Sequence, residues 1–230
     1  MGFNTFELIT LQQYWWIIIS LLGGLFVFIM FVQGGQTLID RLSENEIEKT
    51  MLINSIGRKW ELGFTTLVLF GGALFAAFPL FYATSFGGAY WVWLSILFCF
   101  IIQAVSYEFR TKPNNFLGQK TYETFLKING NIGTFLLGVA ISTFFSGSEF
   151  IVDSNNFVLW QNSLRGLEAL LNPYNYLLGF SLVFLAKISG ALYFINNIDY
   201  EVIRYKAVES IKINMIFFLI FFLSFMAWIL

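Results

Sequence analysis

The chain has no histidine. That absence removes the commonest haem ligand, the commonest metal ligand and the commonest general base from its own chemistry. A single cysteine, Cys99, lies in an apolar run, so no intrachain disulfide can form and the redox compartment stays open. There are three prolines, Pro79, Pro113 and Pro173, which leaves room for long unbroken helices. Charge is scarce: 12% of residues are Asp, Glu, Lys or Arg, against about 25% in soluble domains. A net charge of −1 gives no basis for binding nucleic acid. No glycine-rich loop leads into Lys-Ser/Thr, and no residues stand at metal-ligand spacing. Only Glu7 precedes the first apolar run, with no Lys or Arg and no A-x-A site after it, so no cleavable signal peptide is expected.

What the chain does have is apolar side chains: 57% hydrophobic, 20% aromatic, mean hydropathy +0.71. Between Glu61 and Glu108 there is no formal charge. As a helix, residues 62–107 would measure roughly 70 Å, about twice the ~30 Å hydrocarbon core of a bilayer. That stretch must cross, turn and cross back, and Pro79 with Gly87 and Gly88 mark the turn. The same reasoning along the chain gives an all-α polytopic membrane protein, one transmembrane domain over 1–230. Six spans are expected at 14–32, 62–78, 89–105, 128–145, 174–196 and 213–230. Tyr14, Trp15 and Trp16 anchor the first span at an interface, and Tyr90, Trp91 and Trp93 the third. The last span runs to Leu230 without a polar flank, which reads as a chain cut short at its C-terminus.

Two connections predict surface helices. Ser43 and Glu46 form a capping box ahead of Ile47, Met51 and Leu52, with Gly57 as the stop. Trp160, Leu164, Leu167 and Leu171 fall on one stripe of an amphipathic helix ended by Asn172 and Pro173.

Sidedness follows from the cations. The connections after spans one, three and five hold Arg41, Lys49, Arg58 and Lys59; Arg110, Lys112, Lys120 and Lys127; and Arg204, Lys206 and Lys212. The opposite side holds only Arg165, and Lys187 lies inside span five. The positive-inside rule then puts the basic connections in the cytoplasm and the N-terminus outside.

Few polar groups lie at membrane depth. Gln33 and Gln36, three residues apart, share a helix face that should look at protein or water; packing through Gly34 and Gly35, with the amides as interhelical glue, is the simpler account of them. Glu61 follows Trp60 where a basic connection enters span two. It can complement the helix dipole, or it can take protons from water and pass them inward. Lys187 should meet a partner acid or a lipid headgroup. Asn129 and Asn131, two apart, do not share a face and read as interfacial.

The segment INSIGRKWELG (Ile53 to Gly63), followed by GGALFAAFP (Gly71 to Pro79) and Tyr82-Ala83, resembles the second subunit of cytochrome bd-type quinol oxidases. LLNPYNYLLG (Leu170 to Gly179) and the QQYWW start of span one are also similar, and the likeness runs along essentially the whole chain. The resemblance implies a four-helix bundle plus part of a second, in the bacterial cytoplasmic membrane. It implies a haem-bearing subunit I as partner, with haems b and d and the quinol site there, none held by this chain. A structural quinone is compatible with it. The chain would stabilise its partner and contribute a proton route from the cytoplasm, with no activity alone. Carried onto this sequence, the acid of that route is Glu61, supported by Trp60. Family members carry acids where this chain has Gln33 and Gln36, and a histidine where it has Lys59; an amide can join a water chain but cannot titrate, so Glu61 stands more alone. Other readings of the same helices are one half of a membrane transporter or a purely structural subunit.

Overall fold

A computed structural model describes residues 7–230. Among the described residues, ten α-helices supply six helical stretches long and apolar enough to cross a membrane: Leu8–Leu42, Glu46–Ala77, Tyr90–Phe109, Gln119–Ser146, Tyr174–Asn197 and Glu201–Ile229. The protein is an all-α, multi-pass membrane protein.

The first stretch is α1 (Leu8–Ile29) and α2 (Phe31–Leu42), broken at Met30. Most of α1 exposes its apolar side chains, as lipid requires, whereas nearly every residue of α2 is buried. The second stretch is α3 (Glu46–Gly57) and α4 (Trp60–Ala77), separated only by Arg58 and Lys59. The first cap differs from expectation. Asn45, not Ser43, caps α3: its side chain accepts from Glu48 N at 2.9 Å, while Ser43 Oγ donates back to Ile39 O. Asn45 has an extended backbone and a Glu three residues on, so it makes the reciprocal cap that Ser43 was expected to make. The buried face of α3 carries Glu48, Leu52, Ile53 and Ile56, which pack into the bundle, and Ile47 is left outside.

Pro79 starts the short helix α5 (Pro79–Tyr82), where its missing N–H is no loss, and a π-helical turn (Ala83–Gly88) leads into α6 (Tyr90–Phe109). Next come α7 (Gln119–Ile128), a second π-helical turn (Asn129–Gly133) and α8 (Thr134–Ser146). Then α9 (Tyr174–Asn197) and α10 (Glu201–Ile229) complete the chain, with α9 packed against α2, α8 and α10. Glycine makes the α2–α9 crossing feasible. A Cβ on Gly34 would lie 1.7 Å from Ala186 O, and one on Gly190 would lie 2.4 Å from Gly35 N.

The amphipathic helix expected between α8 and α9 is not there. A hairpin forms instead, β1 (Phe150–Val152) against β2 (Val158–Trp160), antiparallel with Phe150 opposite Trp160. Asp153 closes its turn by accepting from the N–H groups of Asn155 and Phe157. Beyond it, Gly166 at φ +98° breaks the helical path, and only a 3₁₀ turn (Leu167–Leu171) follows. Leu167 packs into the bundle while Leu164 and Leu171 are exposed, so the stripe shares no single buried face.

Two apolar cores result. One gathers Ile39, Leu42, Leu52, Ile56, Leu126 and Phe194; the other gathers Met30, Ile96, Phe100, Leu136 and Leu182.

Candidate functional site

The connections after the first, third and fifth stretches meet at one end of the molecule. Arg110 donates to Glu123 Oε1 through Nε at 3.1 Å and Nη2 at 2.8 Å, and both side chains are buried. Lys49 reaches Glu123 at 3.2 Å, Glu46 at 3.4 Å and Asp40 at 3.6 Å; Lys127 also pairs with Asp40. Lys206 pairs with Glu44 at 2.8 Å, which ties α10 to the start of α3. Acids and cations here neutralise one another, so this end is held together by ion pairs, several of them partly desolvated.

Glu61 stands apart from that network. It occupies the first turn of α4, where its charge complements the helix dipole, and it is exposed without an ion pair among the described residues. Trp60 beside it is half-buried, its ring stacked on Tyr107 at 6.3 Å between centroids and 12° between planes. The Tyr107 hydroxyl accepts from Gln36 Nε2 at 3.0 Å. One helical turn away, Gln33 Nε2 donates to Gln103 Oε1 at 3.5 Å. Gln33, Gln36 and Gln103 are all buried, so the glutamine face looks into protein, and the glycines between them make the α2–α9 contact. Gly63, two residues beyond Glu61, brings α4 against Gln33 Nε2.

Asn129 is not interfacial. It is fully buried, three residues past Leu126 on the inward face that α7 already presents, whereas Asn131 stays at the margin and donates to Lys127 O. The π-helical turn Asn129–Gly133 sets Gly130 against Gln33 O and Gly133 against Cys99. Gln33 Oε1, Gln36 Oε1, Gln103 Nε2, both polar atoms of Asn129 and Thr134 Oγ1 are buried without a protein partner. Orphans of this kind cost about 1–3 kcal/mol each, so a cluster of them calls for water. Sequence reasoning missed Gln103, Tyr107, Asn129 and Thr134. Gln103 was findable: an amide inside an uncharged 62–107 stretch must face inward, and Tyr107 lies one turn further on the same face.

Lys187 meets neither acid nor hydrogen-bond partner among the described residues; its Nζ lies 5.4 Å from the Phe184 ring centroid. Among the described residues no group of three or more His, Cys, Asp or Glu side chains is placed to hold a metal. Near the opposite end from the ion pairs, an apolar cavity of about 680 Å³ is lined by Trp16, Phe81, Phe144, Phe145, Phe150 and Trp160, with Thr84, Ser85, Thr143 and Ser148 as its hydroxyls.

Residues 11–230 match the family described as cytochrome bd terminal oxidase subunit II. Among relatives, the cytochrome bd ubiquinol oxidase subunit 2 of Bacillus subtilis is 33% identical over 147 residues, which is 64% of this chain and 44% of that one. The probable cytochrome oxidase subunit 2 of Haemophilus influenzae is 30% identical over 170 residues, 74% of this chain and 44% of its own. The cytochrome bd-I ubiquinol oxidase subunit 2 of Escherichia coli K12 is 29% identical over 184 residues, 80% of this chain and 48% of its own. The chain thus spans less than half the length of the curated relatives it matches.

Proposed function

The chain belongs to the cytochrome bd terminal oxidase subunit II family, and we propose on that footing that it is an accessory membrane subunit of a quinol:O2 oxidoreductase. In this reading it stabilises a haem-bearing subunit I and provides part of a proton route from the cytoplasm. The haems and the quinol site belong to the partner, in keeping with a sequence that has no histidine to offer iron. The membrane is the bacterial cytoplasmic membrane, with the ion-paired end inside by the positive-inside rule.

The observation that carries the proton role is the sequence of contacts leading inward from Glu61. An exposed carboxylate adjoins Trp60; Trp60 stacks on Tyr107; Tyr107 is hydrogen-bonded to Gln36; and α4 passes Gln33 two residues after Glu61. Glu61 exchanges protons with solvent. Gln33 and Gln36 only orient water, since an amide cannot change charge. Trp60 and Tyr107 wall the path.

Glu61→Gln in the assembled oxidase tests this. Turnover is expected to fall about tenfold or more with haem content and assembly retained, as for loss of a positioned proton-transfer group. Wild-type turnover would remove the proton role and leave stabilisation alone. A structural quinone has a fitting lining in the 680 Å³ cavity: flat aromatic walls suit the ring, and Ser85, Ser148 and the unpartnered indole N–H of Trp160 are its donors for the carbonyls, since Thr84 and Thr143 donate to the backbone.

A further inference from the structure

The geometry points to a binding site for a hard divalent cation of the calcium class at Glu168 and Glu149, at the end opposite the ion-pair network. Three glutamates are buried among the described residues: Glu48, Glu123 and Glu168. A desolvated carboxylate is costly unless its charge is matched or its oxygens are fully hydrogen-bonded. Glu123 has Arg110 and Lys49. Glu48 accepts from Asn45 Nδ2 at 2.9 Å on one oxygen and from Glu44 N at 2.6 Å on the other.

Glu168 has neither solution. Its Oε2 accepts from Gly166 N at 2.6 Å, and its Oε1 is buried with no protein partner. Arg165, the cation nearest in sequence, sits over the Tyr90 ring at 5.5 Å and makes no ion pair among the described residues.

Glu168 lines a cavity of about 310 Å³ whose other walls include Ser146, Ser148, Glu149, Asn172 and Asn175. Glu149 is exposed and spends one oxygen on Asn162 Nδ2 at 2.9 Å. The side chains around the cavity thus offer carboxylate and hydroxyl oxygen, with a second lone pair on the amide oxygens of Asn175, which accepts from Ser146 Oγ, and Asn172, which accepts from Tyr174 N, and no sulfur or imidazole. Such a donor set selects hard cations over zinc or copper, and two carboxylates balance a divalent charge. With only two acids, neutral oxygens and water complete the coordination, as they commonly do for calcium. The site does not depend on the proton route; it shares Ser148 with the neighbouring apolar cavity.

Terbium(III) is a luminescent stand-in for calcium, and Trp160 is placed to sensitise it: its chain neighbour Gln161 donates from N to Glu149 O at 3.0 Å. The experiment uses the whole chelator-treated complex in detergent. Saturable tryptophan-sensitised terbium luminescence is expected, displaced by calcium. It should be lost in Glu168→Gln and weakened about tenfold in Glu149→Gln, which removes an exposed ligand without disturbing the buried turn. A wild-type complex without saturable signal, a signal that calcium does not displace, or wild-type affinity in Glu149→Gln would each overturn the proposal.

Discussion

At one end of the helices Glu123 is 6% exposed and lies between Arg110 and Lys49; at the other, Glu168 is 8% exposed and meets no cation. The two carboxylates are equally withdrawn from water, yet one is bound into a network and the other is held by a single backbone N–H. The difference traces to where the chain places its cations. Eleven of the 13 Lys and Arg fall in the connections on the first side, so an acid buried there finds a partner, while the second side has Arg165 alone. Sidedness of charge, which the membrane imposes for orientation, thereby decides how each end can be stabilised. The ion-paired end is closed by the protein's own groups; the far end leaves a polar cavity to be completed from solution.

This contrast can be broken or sharpened by substitution. The largest effect is expected for Arg110→Ala, which strips Glu123 Oε1 of both guanidinium hydrogen bonds, leaves the buried carboxylate to Lys49 alone and should cost about 3 kcal/mol, read as a lower midpoint in thermal unfolding of the complex. Arg110→Met with Glu123→Leu should lose much less, because replacing both charges by apolar groups removes the desolvation penalty as well. Equal losses in the single and double variants would mean that this end is held by packing rather than by charge. Glu61→Gln comes next, with about tenfold slower turnover and an unchanged unfolding midpoint. Such a split would separate Glu61 from the ion-paired acids Asp40, Glu46 and Glu123, which act on stability. With chelator present, Glu168→Gln should stay within about 1 kcal/mol of wild type, since the amide oxygen still accepts from Gly166 and no counter-charge is stranded. Lys112→Ala should be nearly silent, at most about 0.5 kcal/mol, because its 4.0 Å contact with Glu108 is solvated on both sides.

The places where sequence reasoning failed share a cause. Ser43 and Asn45 are both good N-caps, and only the backbone path after Leu42 selects Asn45. The Trp160, Leu164, Leu167 and Leu171 stripe has helical spacing, but Gly166 takes a left-handed backbone, so Leu167 turns into the core while Leu164 and Leu171 are left exposed. Asn129 looked like a residue at a span entrance; it lies on the same face as Tyr122 and Leu126, and only the packing of that face against α2 buries it. In each case a local pattern permitted two outcomes and contacts distant in sequence chose between them.

By itself the sequence determined the number of spans, the side on which the cations collect and the inward face of Gln33 and Gln36. Those features follow from transfer between water and hydrocarbon, which acts on each segment independently of its neighbours. Only the tertiary structure decided that Glu123 is neutralised from 13 and 74 residues away, that Gln36 meets Tyr107, and that Glu168 is buried without a cation. Pairing of buried polar groups depends on ångström distances between helices, and no periodicity along one helix encodes them.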